Sequence, residues 1–250
     1  MPKKAIVLIR GLFREKRHWG DFPNLLQSEF PDKNIITLNV AGAGDRNHLN
    51  SPNTIAGMVD DFRSQLSNLY PGTTQIELIG LSMGGMIALE WCRRFPDEIN
   101  RAILISTSTK SFSGFYQRLR WQQYGSLISS VIKSSAERER FSYELGSNYP
   151  VNDAVLSNWI QWANTNPMSS RSSFNQLIAC MNFKIDHKPE VPMLVLVPKK
   201  DKMVNPECSY AIAERWKLPI KEHPSAGHDI PIDDPNWVIR HSKEFLATND

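Results

Sequence analysis

Short runs dominated by Val, Ile and Leu punctuate the chain at Ala5 to Ile9, Ile35 to Leu38, Ile76 to Ile79, Ala102 to Ile105 and Met193 to Val197. Near-continuous apolar runs of this length suit strands buried on both faces, as in a parallel sheet. Between them the spacing changes. Ile55, Met58, Val59, Phe62, Leu66 and Leu69 recur every three or four positions, which predicts an amphipathic helix, and Ser51-Pro52 offers it an N-cap with proline at the first helical position. Strand and helix alternate again from Ile76 through Arg94. After Val197 the stretches Pro206 to Trp216 and Asp234 to Leu246 read as two final helices, with a short strand-like run, Ile220 to His223, between them. The alternation predicts an α/β fold, a mostly parallel sheet with helices on both faces.

From Lys110 to Pro192 the alternation fails. Helical patterns continue there without a convincing strand, over too great a length for a plain loop in a compact domain. One apolar stripe comprises Leu127, Ile128, Val131 and Ile132; a second, Val155, Leu156, Trp159 and Trp162; a third, Phe174, Leu177, Ile178 and Met181. The serine-rich patch Ser169 to Ser173 reads as a helix start, and Pro189 and Pro192 close the stretch. The expected organisation is a core of residues 1–109 and 190–250 carrying an inserted helical cap, 110–189.

Composition adds mainly exclusions. With 250 residues, 41% hydrophobic and 22% charged, the chain is neither disordered nor fibrous, and it can bury a sizeable core. A net charge of +3 gives no electrostatic sign of a nucleic-acid partner. Ala5 to Ile9 is too short for a signal-peptide core, and no run is long enough to anchor the chain across a bilayer. Cys92, Cys180 and Cys208 are odd in number and lack metal-ligand spacing, so no disulfide framework and no metal site is expected, and a cytoplasmic setting fits.

The candidate chemistry begins directly after Ile76 to Ile79, where Gly80-Leu81-Ser82-Met83-Gly84-Gly85 follows the pattern G-x-S-x-G at a strand-to-helix junction. A serine on such a sharp turn has a strained backbone, and its neighbours two positions away must lack a Cβ so that strand and helix can crowd together. Ser82 would then project its hydroxyl beside a helix N-terminus, where free amides favour a developing oxyanion. A serine nucleophile needs a base, and the base needs a carboxylate to hold its tautomer. His228, in Ala226-Gly227-His228-Asp229, has the placement that the other five histidines lack. Asp201 follows the run Met193 to Val197 by four residues, and Asp229 is the rival acid.

With Ser82, Asp201 and His228 in this order, the chain resembles the α/β-hydrolase superfamily, and in particular small bacterial carboxylesterases with a helical cap. The likeness spans nearly the whole length. Arg10-Gly11-Leu12-Phe13 resembles the family's His-Gly-x-x oxyanion loop, with Trp19 downstream; Arg10 stands where histidine is usual, and Asn39-Val40-Ala41-Gly42-Ala43-Gly44 replaces the more familiar Asp-x-Pro-Gly-x-Gly. The resemblance implies oxyanion contacts from the backbone amides of Leu12 and Met83. It also implies a cap inserted after Ser106 and hydrolysis of a small-molecule ester without metal or organic cofactor. Thioester cleavage, carbon–carbon bond hydrolysis and cofactor-free perhydrolysis are open to the same constellation, and a non-catalytic small-molecule receptor is the reading from another class.

Phe13, Trp121, Trp159 and Trp162 are candidate walls of an apolar substrate pocket, or simply packing residues. Arg10, Arg14, Lys16 and Arg17 with His18, joined by Arg118, Arg120, Arg138 and Arg140, read either as a solvated charged face or as a basic entrance for an anionic substrate.

Overall fold

Lys3–Ile9 (β1), Asn34–Thr37 (β2), Thr73–Leu81 (β3), Ile99–Ile105 (β4), Met193–Pro198 (β5) and Ile220–His223 (β6) form one sheet in the order β2-β1-β3-β4-β5-β6. Every pairing in it is parallel. These elements come from a computed structural model that describes residues 3–120 and 134–247. Its helices, in chain order, are Phe22–Glu29 (α1), Ile55–Leu69 (α2), Met83–Arg94 (α3), Phe115–Arg118 (α4), Ser135–Gly146 (α5), Asp153–Thr165 (α6), Ser170–Asn182 (α7), Glu207–Trp216 (α8), Ile230–Asp233 (α9) and Pro235–Leu246 (α10). Trp121 and the stripe Leu127, Ile128, Val131 and Ile132 lie outside the described residues.

The central strands are buried on both faces along most of their length, and their side chains sort by parity into two cores. Ala5, Val7, Ile9, Leu78, Leu104 and Val195 pack under α2, α3 and α8, through Val59, Phe62, Trp91, Ile212 and Trp216. Ile6, Leu8, Ile79, Ile103 and Leu196 point the other way, onto Phe22 and Leu26 of α1 and Trp237, Val238 and Leu246 of α10. This doubly covered parallel sheet is the α/β architecture expected from the apolar runs. Between β4 and β5, the described elements α4 to α7 are helical.

Three local readings change. Helix α1 has no counterpart among the sequence-based expectations, because it is short and buries only Phe22 and Leu26. Helix α2 begins three residues later than the Ser51-Pro52 cue suggests: Thr54 caps it by accepting from Gly57 N–H at 3.1 Å, while Ser51 is buried and bonded elsewhere. On α7 the apolar stripe is not the buried face. Phe174 is 62% and Met181 40% exposed, while Ser172, Gln176 and Ala179 are buried. That inner face meets the irregular backbone of residues 39–51, whose polar groups need hydrogen-bond partners more than apolar contact.

Candidate active site

Ser82 follows β3 and N-caps α3 with φ 58° and ψ −114°, a left-handed conformation that a non-glycine residue adopts only when its surroundings enforce it. Its N–H donates to Ile105 O at 2.8 Å, and its carbonyl accepts from Thr107 Oγ1 at 2.8 Å and from Gly85 N–H at 2.9 Å. The flanking glycines are sterically required. A Cβ on Gly84 would collide with the carbonyl of Ile9 at the end of β1, and one on Gly80 with the backbone of Gly84. Met83, the first residue of α3, has no intrahelical acceptor for its N–H, so that amide stays available beside the Ser82 side chain.

Asp201 and His228 are brought together as the sequence suggests. His228 Nδ1 lies 2.7 Å from Asp201 Oδ2, and both residues are buried. The other carboxylate oxygen, Oδ1, accepts from the N–H groups of Met203 at 2.8 Å and Val204 at 2.9 Å. With Nδ1 donating to the carboxylate, the imidazole's basic lone pair falls on Nε2. Burial alone would push the His228 pKa down; the charge and hydrogen bond of Asp201, with the charge of Asp229, outweigh it and hold the pKa above 6.5. Asp229, the rival acid, is engaged elsewhere. Arg10 holds it in a buried two-pronged pair, Nη1 to Oδ1 at 3.1 Å and Nη2 to Oδ2 at 2.5 Å.

Two tethers bring the His228 loop toward Ser82. Ser106, the residue after the Ile105 that binds Ser82, donates its hydroxyl to the His228 carbonyl at 2.8 Å. Arg10 links Asp229 to the loop after β1, whose next residue, Gly11, would place a Cβ 3.2 Å from Ser82 Cβ. Ser82 Oγ and His228 Nε2 are not hydrogen-bonded to each other here; such contacts often tighten only when substrate binds. Sequence reading marked Ser106 as the point after which the cap is inserted, and Arg10 as a departure from a family pattern and a member of a basic cluster. Neither carried a signal for its partner.

The loop after Gly11 packs against the helices between β4 and β5. Phe13, with φ 61°, is 42% exposed, and its N–H donates to Gln176 Oε1 at 3.1 Å. Trp159 is buried under the Arg14 guanidinium, 4.6 Å from its ring, and meets His18 edge-on at 5.0 Å. Trp162 meets His18 at 5.4 Å and Arg17 at 5.0 Å. Both indoles therefore join the helices to this loop. The basic run is paired: Arg14 with Glu139, Lys16 with Asp45 and Arg17 with Glu15. Arg118 is buried against the carbonyls of Cys180 and Met181. Burial, then the charges of Arg14 and Arg10, keep the His18 pKa well below 6.5. Burial raises the thiols of Cys92 and Cys180 to about 12, so neither is a competing nucleophile at neutral pH.

A doubly wound parallel sheet with a strained serine between strand and helix, and an Asp–His pair supplied by later loops, defines a structural class. The chain belongs to the α/β-hydrolase fold family, whose sequence profile matches residues 4–235. It is 30% identical over 107 residues to the biotin biosynthesis bifunctional protein BioHC of Teredinibacter turnerae, an alignment that covers 42% of this chain but only 18% of that protein. It is 20% identical to the uncharacterized carboxylesterase nap of Bacillus subtilis, over 96% of this chain and 78% of that one. The fold superimposes on an esterase, EaEST, from Exiguobacterium antarcticum with a TM-score of 0.80 at 16% identity, covering 99% of this chain and 94% of the other. Among the described residues no helix is long and apolar enough to cross a membrane.

Proposed function

We propose that the protein is a serine hydrolase that cleaves carboxylic esters of small to medium acyl compounds through Ser82, His228 and Asp201. The observation that carries this reading is the buried His228–Asp201 pair, 2.7 Å apart, whose loop is tied through Ser106 to the end of the strand that binds Ser82, a serine strained at a strand-to-helix turn. His228 Nε2 takes the Ser82 proton as Oγ attacks the ester carbonyl. The amides of Leu12 and Met83 receive the oxyanion. The tetrahedral intermediate collapses, His228 returns the proton to the leaving alcohol, and an acyl-enzyme remains. His228 then activates a water, which attacks the acyl carbon and regenerates Ser82 with release of the acid. Asp201 fixes the imidazole and stabilises its charged form throughout. The steps use only protein groups and water.

In the same reading, residues 110–189 form a cap on the core of 1–109 and 190–250, and Phe13 lines the acyl pocket. The esterase neighbours support an ester substrate as the first class to test. Ser82→Ala should abolish both hydrolysis of short p-nitrophenyl esters and labelling by a fluorophosphonate, with an unchanged circular dichroism spectrum. Wild-type turnover or labelling in that variant rejects Ser82 as the nucleophile.

A further inference from the structure

Gln176 is fully buried, at 0% exposure, on the inner face of α7. Its carboxamide oxygen accepts from Phe13 N–H at 3.1 Å, and its amide donates to Ser51 Oγ at 3.0 Å. The Ser51 hydroxyl donates to the Ala41 carbonyl; its N–H donates to Ser172 Oγ at 3.1 Å and its carbonyl accepts from Asn175 Nδ2 at 2.7 Å. These partners fix the carboxamide's orientation. A backbone N–H can only donate, so it meets the oxygen, while a hydroxyl whose proton is committed to Ala41 accepts from the amide nitrogen.

Phe13 carries a bulky side chain at φ 61°, which its surroundings must enforce. The Gln176 bond does so by fixing the peptide plane that joins Leu12 to Phe13. Leu12 is the residue whose amide would receive the oxyanion, and the preceding Gly11 lies against Ser82. We infer that Gln176 is a positioning residue that couples the seating of α7 on the core to the aim of the oxyanion-binding amide at Leu12. The inference rests on the serine hydrolase reading above. It gives α7 a role in turnover that does not require contact with substrate.

The test compares Gln176→Met, which keeps the shape but removes both hydrogen bonds, with Gln176→Glu, which keeps an acceptor for Phe13. In Gln176→Met, kcat for p-nitrophenyl butyrate should fall about 10–100-fold with KM within about twofold, since misaiming an oxyanion donor acts on the transition state. Affinity for a trifluoromethyl ketone, which forms a tetrahedral adduct on the serine, should fall by the same factor. Gln176→Glu should recover much of that kcat. Amide exchange at Phe13 should be slow in the wild type and accelerate in Gln176→Met. An unchanged kcat, a change confined to KM or melting temperature, or unaltered exchange at Phe13 overturns the inference. If Gln176→Met does not fold, Ser51→Ala carries the test: it frees the amide end alone and should give a smaller kcat loss at constant KM, and an unchanged kcat there overturns the coupling. Unaltered exchange with Ser82 still labelled by fluorophosphonate sinks the coupling alone. Failure of that labelling sinks the hydrolase reading and leaves the exchange comparison standing.

Discussion

At position 84 a single hydrogen atom decides whether the strand-to-helix turn at Ser82 can form, because the carbonyl of Ile9 occupies the space a methyl group would need. The obstacle is backbone, which cannot rotate away, so Gly84→Ala should destabilise the protein by about 2–3 kcal/mol. Urea denaturation measures this, and a cost near zero would mean that β1 and α3 can separate freely. Asp201 lends itself to a pH experiment. Burial lowers the His228 pKa while the Asp201 charge and hydrogen bond raise it above 6.5. In the serine hydrolase reading proposed above, the base must be neutral to accept the Ser82 proton, so kcat/KM should rise with pH through a midpoint above 6.5. Asp201→Asn should move that midpoint below 6.5 and lower kcat about 10³–10⁴-fold. A midpoint that stays in place would show that Asp201 does not govern the titrating group. The serine, histidine and aspartate were legible in the sequence because each sits at a junction the local pattern marks. Ser106, Arg10 and Gln176 were not, because their partners are 122, 219 and 163 residues away in the chain and no local spacing encodes such pairings.

Between elements, the loop after β1 is fastened on both sides. Its Arg10 pairs with Asp229 in the loop before α9, and its His18 lies among Trp159 and Trp162 of α6. Removing one member of a buried ion pair strands the other, so Asp229→Asn should cost about 3–5 kcal/mol, whereas Arg10→Met with Asp229→Leu should cost less than either single change. A double variant as unstable as the sum of the singles contradicts this. His18 and His228 act in separate pH windows. The folded His18 resists protonation that the unfolded chain accepts, so it withdraws stability as pH falls below 6.5 toward its depressed pKa. His228 is the reverse: its contribution is complete below 6.5 and fades as pH climbs through its raised pKa. The melting temperature should therefore drop from pH 6.5 to 5, and His18→Asn should flatten that slope. A slope unchanged by the substitution would assign it to other groups. Helix α7 shows why stripe reading failed here: its spacing identified a helix, but much of the wall it faces is polar backbone, so Ser172 and Gln176 are buried beside Ala179 while Phe174 and Met181 of the stripe are exposed.

Across the whole molecule, the sheet was the most legible part, since strands covered on both faces must be apolar nearly throughout. Helix α1 escaped because two buried side chains suffice to hold it. Two of the thiols, Cys92 and Cys180, report on the core under α2, α3 and α8. With Cys92 and Cys180 raised to about 12 by burial, the native protein should resist iodoacetamide at pH 8 at both positions and react at both once unfolded. Rapid native labelling at Cys92 would contradict the packing under α3. Strand β4 lies between β3, which precedes helices α4 to α7 in the chain, and β5, which follows them. Its final turn grips Ser82 through Ile105 and the His228 loop through Ser106. Refolding must therefore join the two chain halves across this one strand before any turnover returns, and the lag between regained secondary structure and regained enzyme activity would time that closure.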